Sequence, residues 1–162
     1  MPSYSQSSGG APSKAHTRGE GAPAGRRAWP APGVGPDGVS ERVESPHVLV
    51  VDDDVDSATA LAAFLESLGC EVEVAHDGFA ALEAAREHRP DAIFLDIGMP
   101  GLDGDEVCRR LRREPWGRHM LIAAATAFAT ARHRERSFRA GFDHYLVKPL
   151  DLRTVRLLVR EW

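Results

Sequence analysis

The sequence predicts an α/β fold, a doubly wound parallel sheet of five strands with five flanking helices, and three observations predict it. From His47 onward, short apolar runs rich in β-branched residues alternate with longer segments of helical period, the pattern of strands joined by crossover helices. The composition changes sharply near Pro46, because residues 1–45 hold eight of the fifteen glycines and six of the eleven prolines and show almost no apolar periodicity. Acidic residues then stand at the ends of two apolar runs, in Val50-Val51-Asp52-Asp53-Asp54 and in Ile93-Phe94-Leu95-Asp96.

The first strand is expected over Val48–Val51, with Leu61, Phe64, Leu65 and Leu68 as the apolar stripe of the helix after it. Gly69 stands where a helix C′ residue turns left-handed. A second strand fits Glu71–Ala75, and the next helix runs from about Phe79 to His88, between an Asp77-Gly78 turn and a stop at Pro90. Ala92–Asp96 reads as the third strand, and Val107 and Leu111 mark a third helix that Pro115 closes. Met120–Ala125 is the fourth strand, followed by a helix around Thr130–Ala140 that ends at Gly141. His144–Val147 completes the sheet, and a last helix starts at an Asp151 N-cap with Leu152, Val155, Leu158 and Val159 on one face.

Residues 1–45 cannot bury a core and are expected to stay disordered, leaving 46–162 as the folded domain. The tail carries 5 Lys/Arg against 4 Asp/Glu and the remainder 15 against 20, so no basic balance recommends nucleic acid as a partner. Cys70 and Cys108 lack metal-ligand spacing and read as reduced thiols. No secretory signal or membrane-spanning run is visible, which points to a cytoplasmic protein without a membrane partner.

Ligands of open parallel sheets bind beyond the carboxyl ends of the strands. Asp52, Asp53, Asp54, Asp96, Thr126 and Lys148 all fall at that edge, each following or ending a predicted strand. Crowded carboxylates there call for a bound cation or raised pKa values, and Mg²⁺ suits such oxygen ligands. An ionised Asp is also a nucleophile that can form an aspartyl-phosphate. A transferring phosphoryl group then needs its charge balanced, and a metal, a Lys ammonium and a hydroxyl are a minimal set.

Taken together, Asp52-Asp53, Asp96 with Met99-Pro100-Gly101-Leu102-Asp103-Gly104, Thr126-Ala127 and Lys148-Pro149 resemble the receiver domain of bacterial response regulators, in order across 46–162. The resemblance implies a flavodoxin-like sheet of strand order 2-1-3-4-5. It implies that Asp96 accepts a phosphoryl group from a sensor histidine kinase or a histidine phosphotransfer protein. Mg²⁺ would be bound by Asp53, Asp96 and the backbone carbonyl of Gly98, with Asp52 acting mostly through water. Lys148 would pair with the phosphoryl oxygens and Thr126 would turn inward to bond them. Tyr145 would follow from an outward to a buried rotamer, reshaping the face of the fourth helix, fifth strand and fifth helix where a downstream protein docks. Such a domain is a signalling phospho-acceptor that assists its own phosphorylation and dephosphorylation, not an enzyme with a separate substrate, and the family leaves room for a homodimer.

Each signal has a plainer reading. Asp54 fits a helix cap, and Asp103-Gly104 a turn opening a helix. Lys148 is the one lysine after Pro46, which argues against an idle strand-end cation. Tyr145 reads equally as core and as switch. The arginines Arg109, Arg110, Arg112 and Arg113, and again Arg132, Arg134, Arg136 and Arg139 beside His133, read as solvated faces, although the fourth helix meets partners in this family. His47, His76, His88 and His119 show no ligand spacing.

Two other functions compete. Asp52-Asp53-Asp54-Val55 fits the nucleophile motif of haloacid-dehalogenase-like phosphatases, with Asp52 attacking, but no acidic pair follows Lys148 and the Asp96 turn goes unexplained. A receiver-like module that works without phosphorylation would have lost the acceptor, the acids or the lysine, and all are present. With one helix expected after Lys148-Pro149, either a stand-alone regulator or a receiver cut from a larger sensor protein fits.

Overall fold

The computed structural model describes residues 45–161 and a two-residue strand at His16–Thr17. In chain order the strands are β1 (His16–Thr17), β2 (His47–Val51), β3 (Glu71–Ala75), β4 (Ala92–Leu95), β5 (Leu121–Thr126) and β6 (His144–Val147). The helices are α1 (Val55–Ser67), α2 (Gly78–His88), α3 (Gly104–Arg113), α4 (Ala131–Ala140) and α5 (Leu152–Glu161), with a 3₁₀ turn at Trp116–Arg118. The sheet order is β1-β6-β5-β4-β2-β3. Its five parallel members thus stand second, first, third, fourth, fifth, as expected.

The central strands β2, β4 and β5 are buried on both faces, which explains why they read as continuous apolar runs, whereas the edge strand β3 alternates Glu and Val and stays partly exposed. Val48, Val50, Ala92 and Phe94 point to one side and pack with Ala58, Leu61 and Leu65 of α1 and Val155, Leu158 and Val159 of α5. Leu49, Val51, Ile93 and Leu95 point to the other and meet Ala81 and Ala85 of α2 and Val107, Cys108 and Leu111 of α3. Each fully buried Leu, Val or Phe contributes about 1.5–3 kcal/mol.

Every helix begins at the carboxyl edge of the sheet and is capped there. Asp54 Oδ1 accepts from Ser57 N at 2.7 Å, Asp77 Oδ1 from Ala80 N at 2.8 Å, Asp103 Oδ1 from Glu106 N at 2.8 Å and Asp151 Oδ1 from Arg153 N at 3.1 Å. Thr130 Oγ1 caps α4 through His133 N at 3.3 Å. Such caps stabilise by about 1 kcal/mol each. The capping readings of Asp54 and Asp151 and the turn reading of Asp103-Gly104 are therefore what the structure shows.

Most differences from the expected bounds are small. β4 stops at Leu95, with Asp96 just beyond it, and β5 runs from Leu121 to Thr126, one residue later than expected at both ends. Arg89 closes α2 with φ 51°, a left-handed cap where no glycine signals it, and its guanidinium lies 4.8 Å from the Trp116 ring centre.

β1 is new. It pairs antiparallel with β6, His16 facing Tyr145 and Thr17 facing His144. β6 would otherwise be a bare edge whose backbone groups invite pairing. Apart from these two residues and Ser45, the expectation of a disordered 1–45 tail lies outside the described residues.

Candidate functional site

Two ladder bonds deliver the acids. Asp52 N donates to Ala75 O at 3.1 Å and Asp96 N to Val51 O at 2.9 Å, so the ladders of β2 and β4 carry on through the first acid after each strand. Carboxylate oxygens of Asp52, Asp53 and Asp96 lie within 4.8 Å of one another. Asp52 and Asp96 are 5% and 8% exposed, whereas Asp53 is open to solvent. One Asp52 oxygen accepts from Asp54 N at 3.0 Å, and one Asp96 oxygen from Gly98 N at 3.2 Å.

Lys148 comes from the segment after β6, where its N–H donates to Thr126 O at 2.8 Å and the Lys148–Pro149 peptide is cis. Its ammonium donates to the second Asp52 oxygen and lies 3.6 Å from Asp96 Oδ2. Burial works to lower the lysine's pKa, but the hydrogen bond to Asp52 and the charges of Asp96 and Asp52 outweigh it and raise the pKa above its usual value. Three carboxylates against one ammonium leave two negative charges uncompensated. A hard divalent cation fits that donor set.

Thr126 is fully buried at the end of β5, and its Oγ1 accepts from Phe128 N at 3.3 Å. The Tyr145 hydroxyl donates to Phe128 O at 2.7 Å, and its ring, 1% exposed, is part of the core beside α3. Tyr145 thus occupies the buried position, and its phenol pKa is raised, first by desolvation.

The sequence reading passed over Phe128. Its ring lies against Gly98, where a Cβ would approach it to 3.0 Å, and stacks on His133 at 4.8 Å between ring centres. It remains 42% exposed over the edge that carries Asp96. A large apolar residue two positions after the strand-end threonine was the available signal. Gly104 is the other silent participant: a Cβ there would stand 2.2 Å from Asp96 O, so only glycine lets α3 begin against the Asp96 backbone.

A five-stranded parallel sheet with acids and a lysine gathered at one switch point defines a class of signalling domain. Residues 48–160 match the family model of the response regulator receiver domain, and the chain belongs to that family. It is 46% identical over 110 residues to the transcriptional regulatory protein PrrA of Mycobacterium tuberculosis, a match covering 68% of this chain and 46% of that protein. To the response regulator MprA of Mycobacterium ulcerans it is 45% identical over 108 residues, covering 67% and 46%. The chain therefore spans about half the length of the curated relatives it matches.

Among solved structures, the receiver domain of sensor histidine kinase PA1611 from Pseudomonas aeruginosa, which holds a magnesium ion in its active-site cleft, is similar at TM-score 0.68 and 35% identity, over 73% of this chain and 97% of that one. The chemotaxis protein CheY4 of Vibrio cholerae is similar at TM-score 0.69 and 29% identity, over 73% and 99%. These findings favour neither the phosphatase nor the phosphorylation-independent reading. Asp52, the phosphatase nucleophile in the former, is instead engaged by Lys148 and Asp54 N–H.

Proposed function

We propose that Asp96 is the phospho-acceptor of this receiver domain and that Asp53, Asp96 and the Gly98 carbonyl hold Mg²⁺, with Asp52 assisting through water. The observation that carries this is the placing of the Asp96 carboxylate among the Asp52 and Asp53 oxygens with Lys148 Nζ 3.6 Å away. In the transfer, an Asp96 oxygen forms a bond to phosphorus as the bond from phosphorus to the donor's imidazole nitrogen breaks. Bound Mg²⁺ would supply positive charge for the phosphoryl oxygens. Lys148, already beside Asp96, moves its hydrogen bond from Asp52 to one of those oxygens.

Thr126 then turns its hydroxyl toward the phosphoryl group and leaves the Phe128 N–H. The Phe128 segment also holds the Tyr145 hydroxyl, so this exchange frees one end of the segment that anchors Tyr145 and resets the α4-β6-α5 face for a downstream protein. The donor is a sensor histidine kinase or histidine phosphotransfer protein in the cytoplasm. The domain assists its own phosphorylation and dephosphorylation but has no separate substrate to turn over. Intact-mass spectrometry after incubation with acetyl phosphate and Mg²⁺ tests this: one phosphate adds to the wild type and none to Asp96→Asn. Addition that persists in the variant would overturn the assignment.

A further inference from the structure

Positive charge is concentrated on two neighbouring helices of an otherwise acidic domain. α4 carries Arg132, Arg134, Arg136 and Arg139 against Glu135 alone, and α3 carries four arginines against Asp105 and Glu106. Between them runs a groove of about 710 Å³ lined by Arg109, Arg132, His133, Glu135, Arg136, Arg139 and Ala140. Arg132, Arg136 and Arg139 are spaced four and three residues apart, so they form one row along α4, about 10 Å long at the helical rise.

We infer that this α3-α4 groove docks an acidic helical segment of a protein partner. A helix with carboxylates at the same spacing of four and three presents a matching row of charge. Arg136 now binds Asp105 at 2.6 Å and Asp103 at 3.0 Å, Arg109 binds Glu106 at 2.7 Å and Arg139 binds Glu135 at 2.5 Å. Arg132 has no ion pair among the described residues. Arg139 and Glu135 are 77% and 64% exposed, and such a pair holds weakly, so a partner's carboxylates can take over Arg139 and Arg132 at little cost, whereas Arg136 stays anchored on Asp105, whose side chain is 2% exposed. A nucleotide fits poorly, because Ala140 is the single apolar residue of the lining and no slot is present for a base.

Arg109 of α3 lines the groove beside α4, and no residue of β6 or α5 does. Arg136 ties α4 to α3 through the buried Asp105, so a partner seated beside it on Arg132 and Arg139 contacts the helix that the groove shares with the α4-β6-α5 face. The inference does not depend on Asp96 being the acceptor.

The test is an amide NMR titration of the full chain with a synthetic alanine-based helix of about 16 residues bearing Glu at the matching spacing. The same helix with Gln, and ATP, serve as controls. The Glu peptide is expected to shift residues 109–113 and 131–140 saturably, to weaken with added salt, and to bind at least about tenfold less tightly to R132E/R139E. R132Q/R139Q removes the charge without reversing it and serves if the reversal disturbs α4. Acetyl phosphate labelling of either variant stays at the wild-type level. No saturable shift, equal binding of the Gln peptide, or tighter binding of ATP would overturn the inference.

Discussion

The strand-end pocket and the α3-α4 face both consist of charged side chains, yet they differ in what the charges do. In the pocket, two nearly buried carboxylates hold a single ammonium beside an exposed third, and Lys148 is held protonated against the pull of its own burial. On the helical face, Arg109, Arg110, Arg136 and Arg139 stand among acids at the surface, and Glu106, whose pKa is lowered first by Arg110 and then by Arg109, keeps about a third of its side chain in solvent, 31% exposed. Arg112, read from the sequence as part of a solvated face, is instead 18% exposed and bound to Asp143 at 2.7 Å. Coulomb interactions are several times stronger where water is excluded. A few charges in the right dielectric therefore outweigh many in solvent, for chemistry and for stability alike.

The largest effect that would sharpen this contrast is at Asp96: Asp96→Asn should reduce phosphate addition from one equivalent to none by intact mass. Asp53→Ala comes next, with Mg²⁺ affinity expected to fall by roughly 10–100-fold, read by NMR titration; unchanged affinity would remove Asp53 from the metal site. Lys148→Ala should still accept some phosphate but leave the Tyr145 amide and ring signals where they are in the free protein. A shift of those signals on phosphorylation would show that the lysine is not the coupling group.

A smaller effect concerns pH. Because the folded pKa of Lys148 lies above its usual 10.5, the stability it adds is fully present below that value and is lost as pH rises through the folded pKa. Urea melts of wild type and Lys148→Met should therefore differ by a constant amount over about pH 6 to 9 and converge above about 10.5. Convergence at neutral pH would break the argument. The smallest effect is expected on the helical face, where Arg110→Ala should change stability by less than about 0.5 kcal/mol in the same melts. A loss of 2 kcal/mol or more there would erase the contrast between the two regions.

The sheet and the pocket were legible for the same reason: their residues are tied to strand periodicity. Val48–Val51 and Ile93-Phe94-Leu95 announce strands buried on both faces, and an acid placed directly after such a run can only stand at the carboxyl edge. Helix caps were legible too, since Asp54, Asp103 and Asp151 precede apolar periods at the usual distance. Phe128 was not, because its importance lies in contacts with Gly98 and Tyr145, which are 30 and 17 residues away, and in a ring contact with His133 that only the turn into α4 creates. Asp105 was also silent. Only the fold reveals that it is 1% exposed and bound to Ser137 Oγ at 2.8 Å and to Arg136, a tie between helices that local patterning does not encode. β1 escaped notice because two residues are too short to show alternation.

Gly104 has a practical consequence. With no room for even one carbon between the start of α3 and the Asp96 carbonyl, the Asp96 peptide and the helix are fastened like a needle to its pivot. A fluorine or spin label on the exposed Arg113 side, far along α3, should therefore register any movement of the Asp96 peptide without crowding the strand-end pocket.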